Sequence, residues 1–152
     1  MRIRALAVVV AVVVAVLGCA WIGSAADAIM TPLIVDPAIA ISSSLANDEM
    51  KGVHDNAAQI EAQAAKLTPP ASKLAAAAKT LHGASKIDAA RTAFGKMNEE
   101  LLAYMKAHKL TVDPSTKVAI CPMVNKPWLQ KAASIQNPYY GAEMLTCGSF
   151  TK

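Results

Sequence analysis

Two cysteines near the carboxyl end of the chain are the residues best suited to chemistry. Met123 follows Cys121 two positions later, and Met144 precedes Cys147 by three positions. Thiolate and thioether sulfur are soft ligands that favour Cu(I), and thiolate also binds zinc. In an exported chain, two cysteines can instead close a disulfide. The sequence therefore leaves three alternatives open: a sulfur-based metal site, a disulfide, or a redox-switchable site that serves both.

The predicted metal ligands combine these sulfurs with one histidine. The cysteines supply thiolates, the methionines supply thioethers, and the histidine precedes Cys121 in the chain. Cu(I) is the favoured ion and zinc is the less favoured one, because most of these ligands are soft. The complete set is Cys121, Met123, Cys147, Met144 and His108.

The disulfide alternative pairs Cys121 with Cys147. It would close a loop of about 27 residues, for which the chain-entropy estimate is roughly 3 kcal/mol of stability. A chain this rich in alanine would gain from such a bond, because each buried alanine removes little apolar area from water. Under this alternative the protein is a disulfide-bonded interaction domain that binds a partner and no metal.

The sequence does not predict an enzyme. It has no glycine-rich phosphate loop, no paired acidic cluster, no His-x-x-x-His pattern and no CxxC pattern. No set of nucleophile, base and orienting residue is apparent. The net charge is +4, and acidic residues and lysines are interleaved on the predicted helices with no clustered basic face, so nucleic-acid binding has little support.

Residues 1–28 are predicted to be an export signal. Two arginines precede an apolar run over residues 5–18, and small residues at 24–28 offer cleavage positions. Cys19 ends a sequence that resembles a lipobox, so a lipid anchor is an alternative to simple cleavage. The apolar stretch is also just long enough for an uncleaved anchor. In each case residues 29–152 are predicted to form a single domain in the periplasm, with no membrane span after cleavage.

The domain is predicted to be all-α, an up-and-down bundle of about four helices. Alanine, lysine, leucine, glutamine and glutamate dominate the middle of the chain, and few strand-like runs appear. Short connections imply antiparallel neighbours. The first helix is expected to start near Asp36-Pro37 and the second at Asn47-Asp48. The third is expected to cover Pro70–Leu81, and the fourth to run from a capping box at residues 85–88 to His108.

The last thirty residues are predicted to form an aromatic, cysteine-containing cap over this bundle. They are richer in large side chains than the helices, so they are expected to pack back against the core. Aromatic walls would exclude water from a sulfur site. The aromatic residues concerned are Trp128, Tyr139, Tyr140 and Phe150.

The pattern of the carboxyl-terminal segment resembles a known family. The motifs that carry the resemblance are Cys121-Pro-Met, Trp128-Leu, Asn137-Pro-Tyr-Tyr-Gly and Met144-Leu-Thr-Cys-Gly. They are similar to those of a family of periplasmic domains of unknown function. These domains occur alone or appended to the membrane-fusion adaptors of heavy-metal and copper efflux pumps. The likeness extends upstream to Asp88-Ala-Ala-Arg, with Phe94 and Leu101, and covers most of residues 36–149.

The resemblance implies a periplasmic helical domain associated with copper or another heavy metal. It would buffer the metal or pass it to an efflux adaptor or pump. One departure from the family pattern is visible. Many members have a serine in the helix after the phenylalanine, where this chain reads Lys96-Met97-Asn98.

Overall fold

The computed structural model describes residues 28–151. The predicted export signal, including Cys19, lies outside them apart from Ala28. In chain order the elements are β1 (Ala28–Ile29), α1 (Pro32–Ala46), α2 (Val53–Ala64), α3 (Ser72–His82), α4 (Ile87–Ala107), β2 (Leu110–Thr111), β3 (Lys117–Cys121), β4 (Lys126–Gln130), a 3-10 turn (Gly141–Glu143) and β5 (Ser149–Phe150). Within the described range, no helix is both long and apolar enough to cross a bilayer.

The prediction of an all-α fold is wrong, because the carboxyl-terminal segment forms a sheet. Strands β4, β3 and β5 lie side by side in that order and are antiparallel, and β1 pairs with β2 in parallel. The protein is therefore a mixed fold of helices and strands. Pro127 makes β4 hard to recognise in the sequence. It is tolerated because β4 is an edge strand, where a residue without an N–H is acceptable.

Helix α1 begins earlier than the predicted start at Asp36-Pro37. Thr31 caps it, because its hydroxyl accepts a hydrogen bond from the N–H of Leu33 at 3.3 Å. Pro32 occupies the first helical position, where its missing N–H costs nothing.

Helix α2 begins later than the predicted start at Asn47-Asp48. Asp48 has a φ of 60° and Gly52 a φ of 75°, so the backbone adopts a left-handed conformation at both residues. The chain between α1 and α2 therefore forms a turn, and the helix cannot start at Asn47-Asp48. Helix α4 lies close to its predicted range. Its N-cap is Lys86, however, with no side-chain hydrogen bond, so the predicted capping box is not formed.

One hydrophobic core joins the helices to the sheet. Each helix packs against the next along the chain, but α1 and α4 touch each other little. Strand β4 packs on both of them and fills the space between. Trp128 and Leu129 of β4 are fully buried there, in contact with the core that Phe94 and Leu101 supply from α4. The helices therefore form the support on which the cysteine-bearing segment rests.

Candidate functional site

Strand β3 carries Cys121 at its last position and directs it towards the helices. Side chains alternate between the two faces of a strand, so Ala119 and Cys121 are buried while Ile120 is partly exposed. Cys121 pairs with Lys126 of β4. The Lys126 ammonium reaches the Glu99 carboxylate of α4 at 2.7 Å, which fixes the end of the hairpin on that helix.

Cys147 lies at the end of a turn that leads into β5. Its N–H donates to the carbonyl of Met144 at 3.0 Å. The next residue, Gly148, has a φ of 146°, which favours glycine. A Cβ at Gly148 would stand 2.7 Å from the Trp128 ring and 3.0 Å from the Ile120 carbonyl oxygen. Glycine therefore allows the chain after Cys147 to pass closely over β3 and Trp128.

The side chain of Asn137 links the two cysteines. Its Nδ2 donates to the sulfur of Cys121 at 3.2 Å and to the carbonyl oxygen of Cys147 at 2.7 Å. Its Oδ1 accepts from the N–H of Tyr139 at 2.8 Å. Asn137 is fully buried, and both cysteines are free thiols. The fold thus brings residues 26 positions apart in sequence to one amide group.

Aromatic rings form one wall of this region. The Tyr139 ring packs against Phe94 with centroids 6.0 Å apart, and meets Trp128 edge-on at 5.9 Å. Its hydroxyl donates to the carbonyl of Pro127. Burial raises the pKa of Tyr139, and repulsion from the Cys121 sulfur adds to the effect. The phenol therefore stays protonated and continues to donate its hydrogen bond.

Gln130 shapes the loop that precedes Asn137, and sequence analysis missed it. Its Oε1 accepts from the indole N–H of Trp128 at 2.8 Å and from the N–H of Gln136 at 3.2 Å. Its Nε2 donates to the carbonyls of Ala132 and Ser134, at 3.0 and 2.7 Å. The only sequence signal is a glutamine in an otherwise apolar run, which does not reveal these backbone partners.

The two methionines of the predicted ligand set lie near the cysteines in the chain but differ in exposure. Met123 is in the turn between β3 and β4 and is 62% exposed. Met144 is half-buried, and its carbonyl oxygen accepts the hydrogen bond from the N–H of Cys147 that closes the turn between the two residues. Met123 therefore faces solvent, whereas Met144 is partly covered.

His108 is remote from Cys121 and Cys147. Helix α4 meets the hairpin at Gly95, where a Cβ would lie 3.1 Å from Lys126. At 1.5 Å per residue, His108 is about 20 Å further along the helix axis. It is exposed just beyond the end of α4, with its ring 4.3 Å from that of Tyr104. The structure therefore does not bring His108 to the cysteines.

The number and type of ligands around Cys121 and Cys147 limit which metal ion could bind there. Among residues 28–151, no three His, Cys, Asp or Glu side chains are grouped so as to hold a metal ion. Structural zinc sites use four such ligands. Cu(I) is satisfied by fewer and softer ligands, so a site built on two cysteines would suit it better than it would suit zinc.

Comparison of the chain with models of protein families, with curated proteins and with solved structures gave no match. The resemblance to domains of metal efflux systems therefore stays a prediction from the sequence motifs. The geometry around Asn137 is the observation on which a function can rest.

Proposed function

We propose that this chain is a non-enzymatic periplasmic protein that binds Cu(I) through Cys121 and Cys147. The observation that carries the proposal is the amide of Asn137, which contacts the sulfur of one cysteine and the backbone of the other. A thiol is a weak hydrogen-bond acceptor, whereas a thiolate is the metal ligand. The Asn137 N–H groups hold the Cys121 sulfur next to the backbone of Cys147, so both cysteines are placed together before an ion binds.

The surroundings of the pair support the same proposal. Cys121 is fully buried beside aromatic rings, whereas Cys147 is half-buried. An apolar shell around a metal site limits the access of water and tunes the bound ion. The ion would reach the buried thiol from the side of Cys147. Met144, three residues before Cys147, and Met123, two residues after Cys121, are proposed as auxiliary thioether ligands.

The proposed role is to buffer Cu(I) or to pass it to a heavy-metal efflux adaptor or pump. This partner class comes from the sequence resemblance alone. A protein that hands over an ion needs a site from which the ion can leave, and a pair of thiolates with one half-buried member meets that need.

Anaerobic titration of the reduced protein with Cu(I), in competition with a chelator, tests the proposal. Cys19 is replaced by serine throughout, so that only Cys121 and Cys147 carry thiols. We expect one Cu(I) per chain in this background. The additional change Cys121→Ser with Cys147→Ser should abolish binding, and His108→Ala should leave it unchanged. The proposal is contradicted if the double-serine protein binds Cu(I) as tightly as the parent.

A second candidate function is a disulfide-bonded interaction domain that binds no metal. The register of β3 with β5 favours it: Ala119 pairs with Phe150, and Ile120 pairs with Ser149. Continued by one residue, this register places Cys121 opposite Gly148, so the backbone of Cys147 lies one position further along, where the Asn137 amide joins the two cysteines. Intact mass of the exported protein under non-reducing conditions is the test. A mass lower by two hydrogens, together with no Cu(I) binding after reduction, would favour this function over the first.

A further inference from the structure

Arg91 of α4 joins three separate parts of the chain. Its Nε donates to the carbonyl of Pro138 at 3.1 Å. Its Nη2 donates to the carbonyl of Leu45 near the end of α1 at 3.0 Å, and to the carboxylate of Asp48 at 2.5 Å. The Arg91 side chain is only 14% exposed. It therefore ties the residue after Asn137 to both α1 and α4.

Asp48 holds the other end of the same loop. One carboxylate oxygen accepts from Arg91, and the other accepts from the N–H of Ala142 at 3.0 Å. The Ala142 N–H and then the Arg91 guanidinium lower the pKa of Asp48 below its ordinary value. The φ of 60° at Asp48 is one that aspartate tolerates. The carboxylate is thus charged and placed between the loop and the helices.

Gly141 makes this close approach possible. A Cβ at this position would overlap both the Asp48 carboxylate and the Arg91 guanidinium, and the residue has a φ of 56°. Its N–H donates to the carbonyl of Asn137 at 3.1 Å, which closes the loop on itself. The glycine, the carboxylate and the guanidinium form one unit, which we call the clamp (Asp48, Arg91 and Gly141).

We propose that Asp48 and Arg91 are positioning residues, which hold the loop so that Asn137 stays on Cys121 and Cys147. The clamp is hydrogen-bonded to the loop at Pro138 and Ala142. Asn137 therefore lies directly beside a residue that the clamp holds in place. Release of the clamp frees the loop and exposes the Cys121 thiol. The effect on thiol access is independent of metal. Its consequence, a lower affinity for Cu(I), rests on the proposed function.

The rate at which Cys121 reacts with an aromatic disulfide tests the clamp without metal. The measurement uses Cys19→Ser, Cys147→Ser protein under native conditions, with and without Asp48→Asn. Asparagine also tolerates a positive φ and can still accept from the Ala142 N–H through its single amide oxygen, so the change removes the charge and the acceptor for Arg91. We expect the rate to rise about tenfold, because buried thiols react through local opening of the structure.

Asp36→Asn is the matched control. The Asp36 carboxylate also joins α1 to the carboxyl-terminal part, through Lys131 at 3.0 Å, but it does not touch the clamped loop. We expect it to change the rate by less than about twofold, because exposed ion pairs contribute little. Arg91→Lys is a second clamp variant. Lysine keeps the charge but cannot donate in the forked geometry of arginine, so the rate should again rise.

Hydrogen exchange separates positioning from a general loss of stability. In Asp48→Asn protein, the amides of Tyr139 and Ala142 should exchange faster, while those in the middle of α2 and α3 keep their wild-type rates. Equal acceleration across all helices would overturn the proposal, and so would unchanged thiol rates in both clamp variants. If wild type fails to bind Cu(I) but the clamp variants expose Cys121, the clamp stands and only the proposed function fails.

Discussion

The helical part and the carboxyl-terminal part of this protein are stabilised in different ways. Residues 32–107 bury mostly alanine, leucine and isoleucine, so their stability is the sum of many small apolar contacts. Residues 117–150 bury polar side chains such as Gln130 and Asn137, whose atoms bond to specific backbone groups. Substitutions should therefore have graded effects in the helices, and larger effects at a few positions of the sheet segment.

The largest predicted effect is at Trp128. Trp128→Ala removes a fully buried ring that packs on Tyr139 and donates to Gln130, and it should cost about 3–5 kcal/mol of unfolding free energy. Ala78→Gly, at an equally buried position of α3, should cost only about 1 kcal/mol. Urea unfolding followed by circular dichroism measures both. Equal losses at the two positions would remove the distinction between the two parts.

The next effect is at Asn137. Asn137→Ala leaves the carbonyl of Cys147 and the N–H of Tyr139 buried without this partner, so we expect a loss of about 2–3 kcal/mol. Denaturant unfolding of the reduced protein measures the change. A loss below about 0.5 kcal/mol would mean that water readily replaces the amide.

Acid should loosen the clamp before it unfolds the helices. Because the pKa of Asp48 is lowered, its stabilisation is present above the ordinary value of 3.8 and is lost as pH falls through the lower folded value. The exchange of the loop amides should therefore accelerate below about pH 4, beyond the intrinsic pH dependence of exchange. Asp48→Asn should remove this excess acceleration.

Asp113→Asn is the control for this pH dependence. The pKa of Asp113 is also lowered, by the hydroxyl and the N–H of Ser115, but these contacts are local to another turn. The same excess acceleration of the loop amides should remain in this variant. Its disappearance would show that the acid effect does not come from Asp48.

The smallest effect is predicted for a second fully buried asparagine, Asn98 of α4. Its Nδ2 donates to the carbonyl of Phe94 at 3.0 Å, but its Oδ1 has no partner among the described residues. Asn98→Ala removes this unpaired acceptor and improves helix propensity by about 0.5 kcal/mol, which offsets the lost packing. Unfolding free energy within about 0.5 kcal/mol of wild type is expected. A loss as large as that of Asn137→Ala would show that Asn98 has a hidden partner.

The helices were largely predictable because their patterns are local. Ala90, Phe94, Met97, Leu101 and Met105 recur at helical spacing and are all buried on α4. The predicted start of α2 was wrong for a reason that local patterns cannot show. Asp48 looks like an N-cap, but its carboxylate bonds to the N–H of Ala142, far along the chain.

The sheet was missed because its pairing is not local. Strand β3 is short, β4 contains Pro127, and β5 pairs with β3 although about thirty residues separate the two strands in the sequence. The two cysteines of the site were recognised by residue type alone. The bridging role of Asn137 depends on how its loop is held. The prediction of His108 rests on its order in the sequence, which does not show that the hairpin packs on α4 near Gly95, far from the end of that helix.

The two outer strands of the sheet limit its growth. Strand β4 carries Pro127, which cannot donate to an added strand, and β5 is only two residues long. The ammonium group of Lys117 lies over the ring of Phe150 at 4.7 Å and places a charge beside that short edge. Both edges are therefore poor templates for an added strand, which disfavours strand addition by a partner and self-association into extended β-ladders.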